Sequence, residues 1–521
     1  MLPKADHPWT IEEAAHLLRR AGFGGAPEEI RRLHSLGREK AVESLLAVEP
    51  IDSDRSLPSW ADMAATVEQR REQMMKVREA QRELRNLPEE DRDKRTDEIK
   101  AIRQKNQKES RQQTLEGTRW WFDRIMNGPS PLQEKMVLFW HDHFATSARK
   151  VRYPVLILRQ NELFRNHALG DFKKLTHEIL RDPAMLLYLD VQNSRKGKPN
   201  ENFAREVMEL FTLGEGNYSE QDIREAARAF TGYNVNRVTG QVTHQKRQWD
   251  AGKKTVLGKT GNFDGDGVID VLFEQDAAAE YVPAKLWQFF VEDEAPRVIV
   301  EDLAKTFRDS GFQIGPLLRE IFLSRAFYDG TVIRNQIKSP IQFLVQMSKE
   351  LGITSLPRGY AFVCQQQLGQ VLFLPPNVAG WDWGRAWINT NTLLSRYNIA
   401  GVLTGGAAPA DGTDGGDDDQ MMKDMAKASG QGGRMISRVI ERSMKEFKGP
   451  DYEKIAPREL RETPEKLVEA LIKRFFQTEL PPKQRTAFTE YAVAKKGVVF
   501  TDHEVGELCH LMMSTPHYQL V

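Results

Sequence analysis

Residues 132–147, LQEKMVLFWHDHFATS, constrain the fold more than any other stretch. On a helical wheel Met136, Val137, Leu138, Phe139, Trp140 and Phe144 occupy almost the whole circumference, so this helix has no face to offer water and other elements must enclose it. Ser130 as cap, Pro131 at the first helical position and Gln133 closing a capping box mark its start. A chain organised round such a helix is mainly α, a multi-helical core. With 521 residues and 40% hydrophobic content, the material for a large core is present.

Apolar residues at three-to-four spacing predict further helices over 153–168, 171–181, 200–213, 220–231, 270–291, 298–309, 315–325, 338–351 and 358–372. One segment breaks the pattern. YNVNRVTGQVTH, 233–244, alternates polar and apolar residues about Thr239-Gly240 and predicts a small β-hairpin. Five regions follow: an N-terminal helical lead-in (1–60) of two short helices, the first capped by Thr10, and a charged αα-hairpin arm (61–115) interrupted at Asn86-Leu87-Pro88. The helical core (116–400), a Gly/Asp-rich flexible linker (401–435) and a C-terminal helical appendage (436–521) complete the chain.

Charge and cysteine content exclude several function classes. Lys plus Arg (74) equals Asp plus Glu (74), so no global field draws the chain to nucleic acid or an anionic membrane. Cys364 and Cys509 permit at most one bridge and no cysteine-built zinc site. There is no apolar run long enough for a membrane span and no secretory signal at the first residues, so a cytoplasmic location is the expectation.

Three constellations can carry chemistry. In the first, His141 shares a polar strip with Glu134, and Lys135 shares another with Asp142. His143 falls among Leu132, Met136 and Phe139, where an unpartnered ring would cost about 1–3 kcal/mol, so it requires a partner. On a regular helix the two histidines point roughly 200° apart and cannot chelate one ion unless the helix frays at Trp140. The second is NENFAREVMELFTLGEG, where Glu206 lies at the edge of the apolar sector and Glu209 one turn on. Should Glu206 meet His141 or His143, the set is either catalytic, as an acid/base pair, or a site for a divalent metal built from His141, His143, Glu206 and Glu209. The alternative is a buried structural His–Glu hydrogen bond.

The third constellation is tryptophan-rich. If Asp382 caps a helix, Arg385, Asn389, Thr392 and Arg396 form one stripe flanked by Trp381, Trp383 and Trp387, a face suited to a carboxylate, sulfate, phosphate or sugar. The same stripe can instead bond neighbouring loops. Asn262-x-Asp264-x-Asp266-Gly267 copies the opening of a calcium loop, but Phe273 stands where the bidentate carboxylate belongs, which favours a turn and a helix cap. Walker A, GxSxG and GxGxxG motifs are absent, which disfavours nucleotide binding and α/β-hydrolase chemistry.

Five stretches together, WTIEEAAHLLRRAGFG, LQEKMVLFWHDHFATS, NENFAREVMELFTLGEGNYSEQDIREAARAFTGY, KTVLGKTGNFDGDGVID and LGQVLFLPPNVAGWDWGRAWINTNTLLSRYN, resemble the bacterial family known as domain of unknown function 1800, over roughly 1–400. The resemblance implies a mainly helical fold and no particular activity. It also implies a partner: genes of this family commonly neighbour those of domain of unknown function 1501, whose products look sulfatase- or phosphatase-like and often bear a twin-arginine export signal. Co-export with that partner is the alternative to a cytoplasmic location. Relatives typically show His-Asp before the GxKT turn, whereas this chain has Trp249-Asp250, so no catalytic or metal-binding histidine is placed there. Two functions remain open: a non-enzymatic partner or accessory factor, and an enzyme with a His/Glu site acting on an anionic or sugar-like substrate.

Overall fold

Thr10 sets the first helix. Its side chain accepts from the Glu13 amide while the Glu13 carboxylate accepts from the Thr10 N–H, and α1 spans Ile11–Ala21. Two more helices follow, Pro27–Ser35 and Arg38–Leu46, so the lead-in holds three rather than two. Gly37, at φ +75°, makes the turn that separates them. The computed structural model describes residues 1–48, 57–406, 447–495 and 499–521. Among these it is 64% helical, with 23 helices and two small two-stranded antiparallel sheets, a mainly α protein.

The charged arm is a hairpin of α2 (Met63–Asn86) and α3 (Arg92–Asn127), parted at Leu87-Pro88. Ala80 and Ile99 are buried, while the outer positions are solvated and carry pairs such as Glu83–Arg95 and Gln69–Glu109. Helix α3 does not stop at residue 115. It runs on to deliver Trp121, Phe122, Ile125 and Met126 to the core, so one continuous helix ties arm to centre.

The centre is α4, Pro131–His143, in which every residue from Leu132 to His143 is buried. It packs among α1, the Arg38–Leu46 helix, α3 and α5 (Pro154–Asn166). Helix α6 (Glu201–Glu206) passes into a π turn, Val207–Thr212, that packs against α7 (Asp276–Phe290). Then come α8 (Pro340–Glu350) and α9 (Thr390–Thr404), followed by α10 (Pro464–Phe475), α11 (Pro482–Lys495) and α12 (Asp502–Met513). One apolar cluster runs from Leu2 to Tyr518, so the residues after 447 share the core rather than forming a separate one. Helix α9 ends at Thr404; the remainder of the Gly/Asp-rich stretch, 407–435, and residues 436–446 lie outside the described residues.

The expected hairpin pairs Tyr233–Val235 with Val242–His244, Tyr233 opposite His244. A second, Lys254–Val256 with Lys259–Gly261, turns at Leu257 (φ +48°) and Gly258 (φ +79°). Asp264 caps the helix Gly265–Phe273 by accepting from Gly267 N, so the helix starts before residue 270, where the periodicity places its beginning. Both cysteines are free and buried. No helix among the described residues is long and apolar enough to cross a membrane.

Candidate functional site

Helix α4 distributes its polar side chains into separate environments. Glu134 accepts from Trp121 Nε1 (3.2 Å), Arg124 Nε (3.0 Å) and Arg165 Nε and Nη2 (2.6 and 2.8 Å). Two guanidiniums therefore hold one buried carboxylate, with indole help. Lys135 Nζ donates to Gln342 Oε1 at 2.7 Å, and burial pushes its ammonium down to about 7.

His141 does not join Glu134. Its ring lies 5.2 Å from Trp121, 5.6 Å from Phe373, 5.6 Å from Trp381 and 6.1 Å from Phe164, and neither nitrogen has a hydrogen-bond partner. Desolvation pushes it down to about 3, so it is neutral throughout the physiological range. His143 has the partner it requires, but not a carboxylate: Nε2 lies 3.0 Å from the carbonyl oxygen of Phe211. That oxygen sits in the π turn, beside the point where the helix ends and its last carbonyls lose their intrahelical donors. Burial, then the charge of Lys285, keeps this imidazole neutral too, with the Phe211 carbonyl opposing them.

The other predicted residues lie apart. Glu206 is half-buried and its carboxyl is pushed up, first by burial and then by Glu209. Glu209 accepts from the Tyr218 hydroxyl at 2.5 Å. No hydrogen bond joins His143 to Glu206, and among the described residues no three His, Cys, Asp or Glu side chains are grouped to hold a metal ion. The structure thus does not bring His141, His143, Glu206 and Glu209 together as a ligand set.

The tryptophan-rich stripe is also divided. Asp382 does not cap a helix; residues Gly384–Trp387 form a 3-10 turn, and Asn389 caps α9 in a capping box with Thr392. Arg385 and Asp382 face solvent, while Arg396 turns inward to donate to Lys338 O (2.8 Å) and Gln519 Oε1 (3.1 Å). Trp381 is buried against His141. The displaced helix start rotates Arg396 away from Arg385.

The helical wheel sets Asp142 on one strip with Lys135, but the two bond to different partners and Asp142 has a site of its own. Its Oδ1 accepts from Trp381 N at 2.6 Å and the Trp383 side chain also bonds to it. Gly380, at φ +88°, lets the loop approach, since a Cβ there would overlap the Asp142 carboxylate. Burial pushes Asp142 up to about 7, against the pull of the Trp381 amide and the Lys285 charge. Burial lowers Lys285 in turn. Trp383, 36% exposed, stands at the surface edge, stacked edge-on to Phe289 at 5.2 Å. The signal available in sequence was glycine immediately before Trp-Asp-Trp. A groove of about 760 Å³ between α10 and α11, lined by Glu465, Glu469, Arg485 and Val493 among others, contains none of these residues.

The family model described as "Protein of unknown function (DUF1800)" matches residues 16–520. The chain belongs to this family. No curated protein and no solved structure matches it. Membership extends the likeness past the core to the segment after residue 447, in keeping with the shared apolar core. In this DUF1800 chain, helix α4 and Trp381, which packs on it, belong to one interior.

Proposed function

We propose that the protein is a non-catalytic partner or accessory factor of a sulfatase- or phosphatase-like domain of unknown function 1501 protein encoded nearby. The observation that supports this reading most is the enclosure of His141, a neutral ring inside four aromatic rings with no polar contact. A ring in that setting packs; it does not bind substrate. With Glu134 held by two arginines and His143 by a backbone carbonyl, interior bonding accounts for two of the segment's polar residues and aromatic packing for His141. The surface is then left for function. The solvated arm of α2 and α3 and the exposed Leu393, Leu394 and Tyr397 on one side of α9 are surfaces of a kind that partners cover.

Expression of both genes from the native operon, with a tag on this chain, tests the reading. Stoichiometric co-purification through size exclusion is expected, and elution of the chain alone contradicts it.

A second reading, an enzyme acting on an anionic or sugar-like substrate, draws support from Asp142: a carboxyl held near neutrality beside Lys285 and the Trp383 indole is suited to proton transfer. Turnover of a sulfate or phosphate ester that disappears in Asp142→Asn supports it. Equal turnover in the variant contradicts it.

A further inference from the structure

Residues 516–521 cover an interior with an unusual charge content. The Lys338 amide donates to Gln519 O (2.8 Å), Ile337 bridges Leu520, and Arg334 Nη1 donates to Leu520 O (3.2 Å). Beneath this segment Arg19, Lys338 and Glu350 are each 0% exposed and Arg396 1%, with Arg334 half-buried beside them. The charges of Glu350, Arg334, Arg19 and Arg396 all act on Lys338. Four cations thus surround one carboxylate.

That carboxylate acts on Arg19, Arg334 and Lys338 by charge alone, with no hydrogen bond to any of them. Glu350 Oε1 accepts from Gln346 Nε2 (2.8 Å) and Oε2 from the Tyr518 hydroxyl (2.6 Å), both neutral donors. Lys338 Nζ has no hydrogen-bond partner and stands 3.6 Å from the centroid of the Tyr518 ring. Nε and Nη2 of Arg19, Nε of Arg334 and Nε of Arg396 are also without partners. An unpaired buried cation costs several kcal/mol, and each buried N–H without an acceptor about 1–3 kcal/mol. Loss of a proton relieves Lys338 alone, because a guanidinium keeps its proton. Arg19 would still keep two N–H groups, on Nε and Nη2, without acceptors, since only its Nη1 is bonded, to Gln477 Oε1 at 2.7 Å.

We propose that this interior binds one halide-sized anion, held by the free N–H groups of Lys338 and Arg19 with Arg334 and Arg396 around it. A spherical anion accepts from donors arriving in any direction. That suits groups fixed on α1, before α8 and on α9, and complete enclosure favours a small anion over a tetrahedral one. Bound there, it ties residues 516–521 to α1 across the length of the chain.

The test uses the full chain in sodium gluconate at constant ionic strength. Replacing gluconate by chloride is expected to raise Tm by a few degrees and then saturate, and Lys338→Met is expected to lose the saturable part while remaining folded by circular dichroism. Arg19→Gln serves if Lys338→Met does not fold. Crystals of the wild type grown in bromide are expected to show one anomalous peak beside Lys338 Nζ. A Tm flat in chloride, a rise that persists unchanged in the variant, or no bromide at Lys338 overturns the proposal.

Discussion

His143 Nε2 lies 3.0 Å from the carbonyl oxygen of Phe211, whereas His141, two residues earlier, has no polar contact at either nitrogen. One histidine completes the hydrogen bonding of a helix end, and the other fills an aromatic cage. Their substitutions therefore diverge. His143→Ala strands a carbonyl and opens a cavity and is expected to cost about 2–4 kcal/mol. His141→Phe removes buried nitrogens that lack partners and is expected to change stability by less than about 1 kcal/mol, or to raise it. Urea unfolding of the two variants checks both.

Acid stability carries the same signature. His141 titrates near 6.5 when unfolded and about 3 when folded, so the unfolded chain binds the extra proton between those values. Its contribution is complete above pH 6.5 and falls as pH drops towards 3, by about 1.4 kcal/mol per pH unit where the difference is full. His141→Phe is expected to be less acid-labile than wild type over pH 6.5 to 3.

Asp142 acts in the opposite sense. Its carboxyl, at 3.8 unfolded and about 7 folded, contributes fully below pH 3.8 and loses that contribution as pH rises through 7. Asp142→Asn keeps an oxygen for the Trp381 amide and removes the charge. Relative to wild type it is expected to gain stability as pH rises from 4 to 8. Thermal unfolding at the two pH values measures the difference.

Glu134→Gln leaves Arg165 and Arg124 facing a neutral amide in a buried setting, with side-chain exposures of only 3% and 8%. The expected loss is about 3–5 kcal/mol. Asp123→Asn, which breaks the solvated Arg119–Asp123 pair, is expected to cost less than about 1 kcal/mol in the same urea assay.

Some local signals are legible in the sequence because their physics is local. The cap at Thr10 and the Thr239-Gly240 hairpin depend on residues a few positions apart. The buried character of α4 followed from its apolar circumference, and so did the need of His143 for a partner. The partner's identity did not follow. Phe211 lies in a π turn, where a wheel drawn at 100° per residue misplaces every side chain. The stripe from Arg385 to Arg396 failed for a related reason, since α9 starts at Asn389 rather than after Asp382. The second hairpin was hidden by Leu257, an apolar residue at positive φ in a turn. The cation cluster joins Arg19 to Lys338 and Tyr518, separations no periodicity reports.

Both histidines of the Trp-His-Asp-His-Phe segment lie in the interior, His143 on the Phe211 carbonyl and His141 among aromatic rings. Elemental analysis of freshly purified full-length wild type, His143→Ala and Glu206→Gln tests this arrangement most directly. No stoichiometric divalent metal is expected in any of the three. A stoichiometric metal in the wild type that is lost from both variants would contradict it.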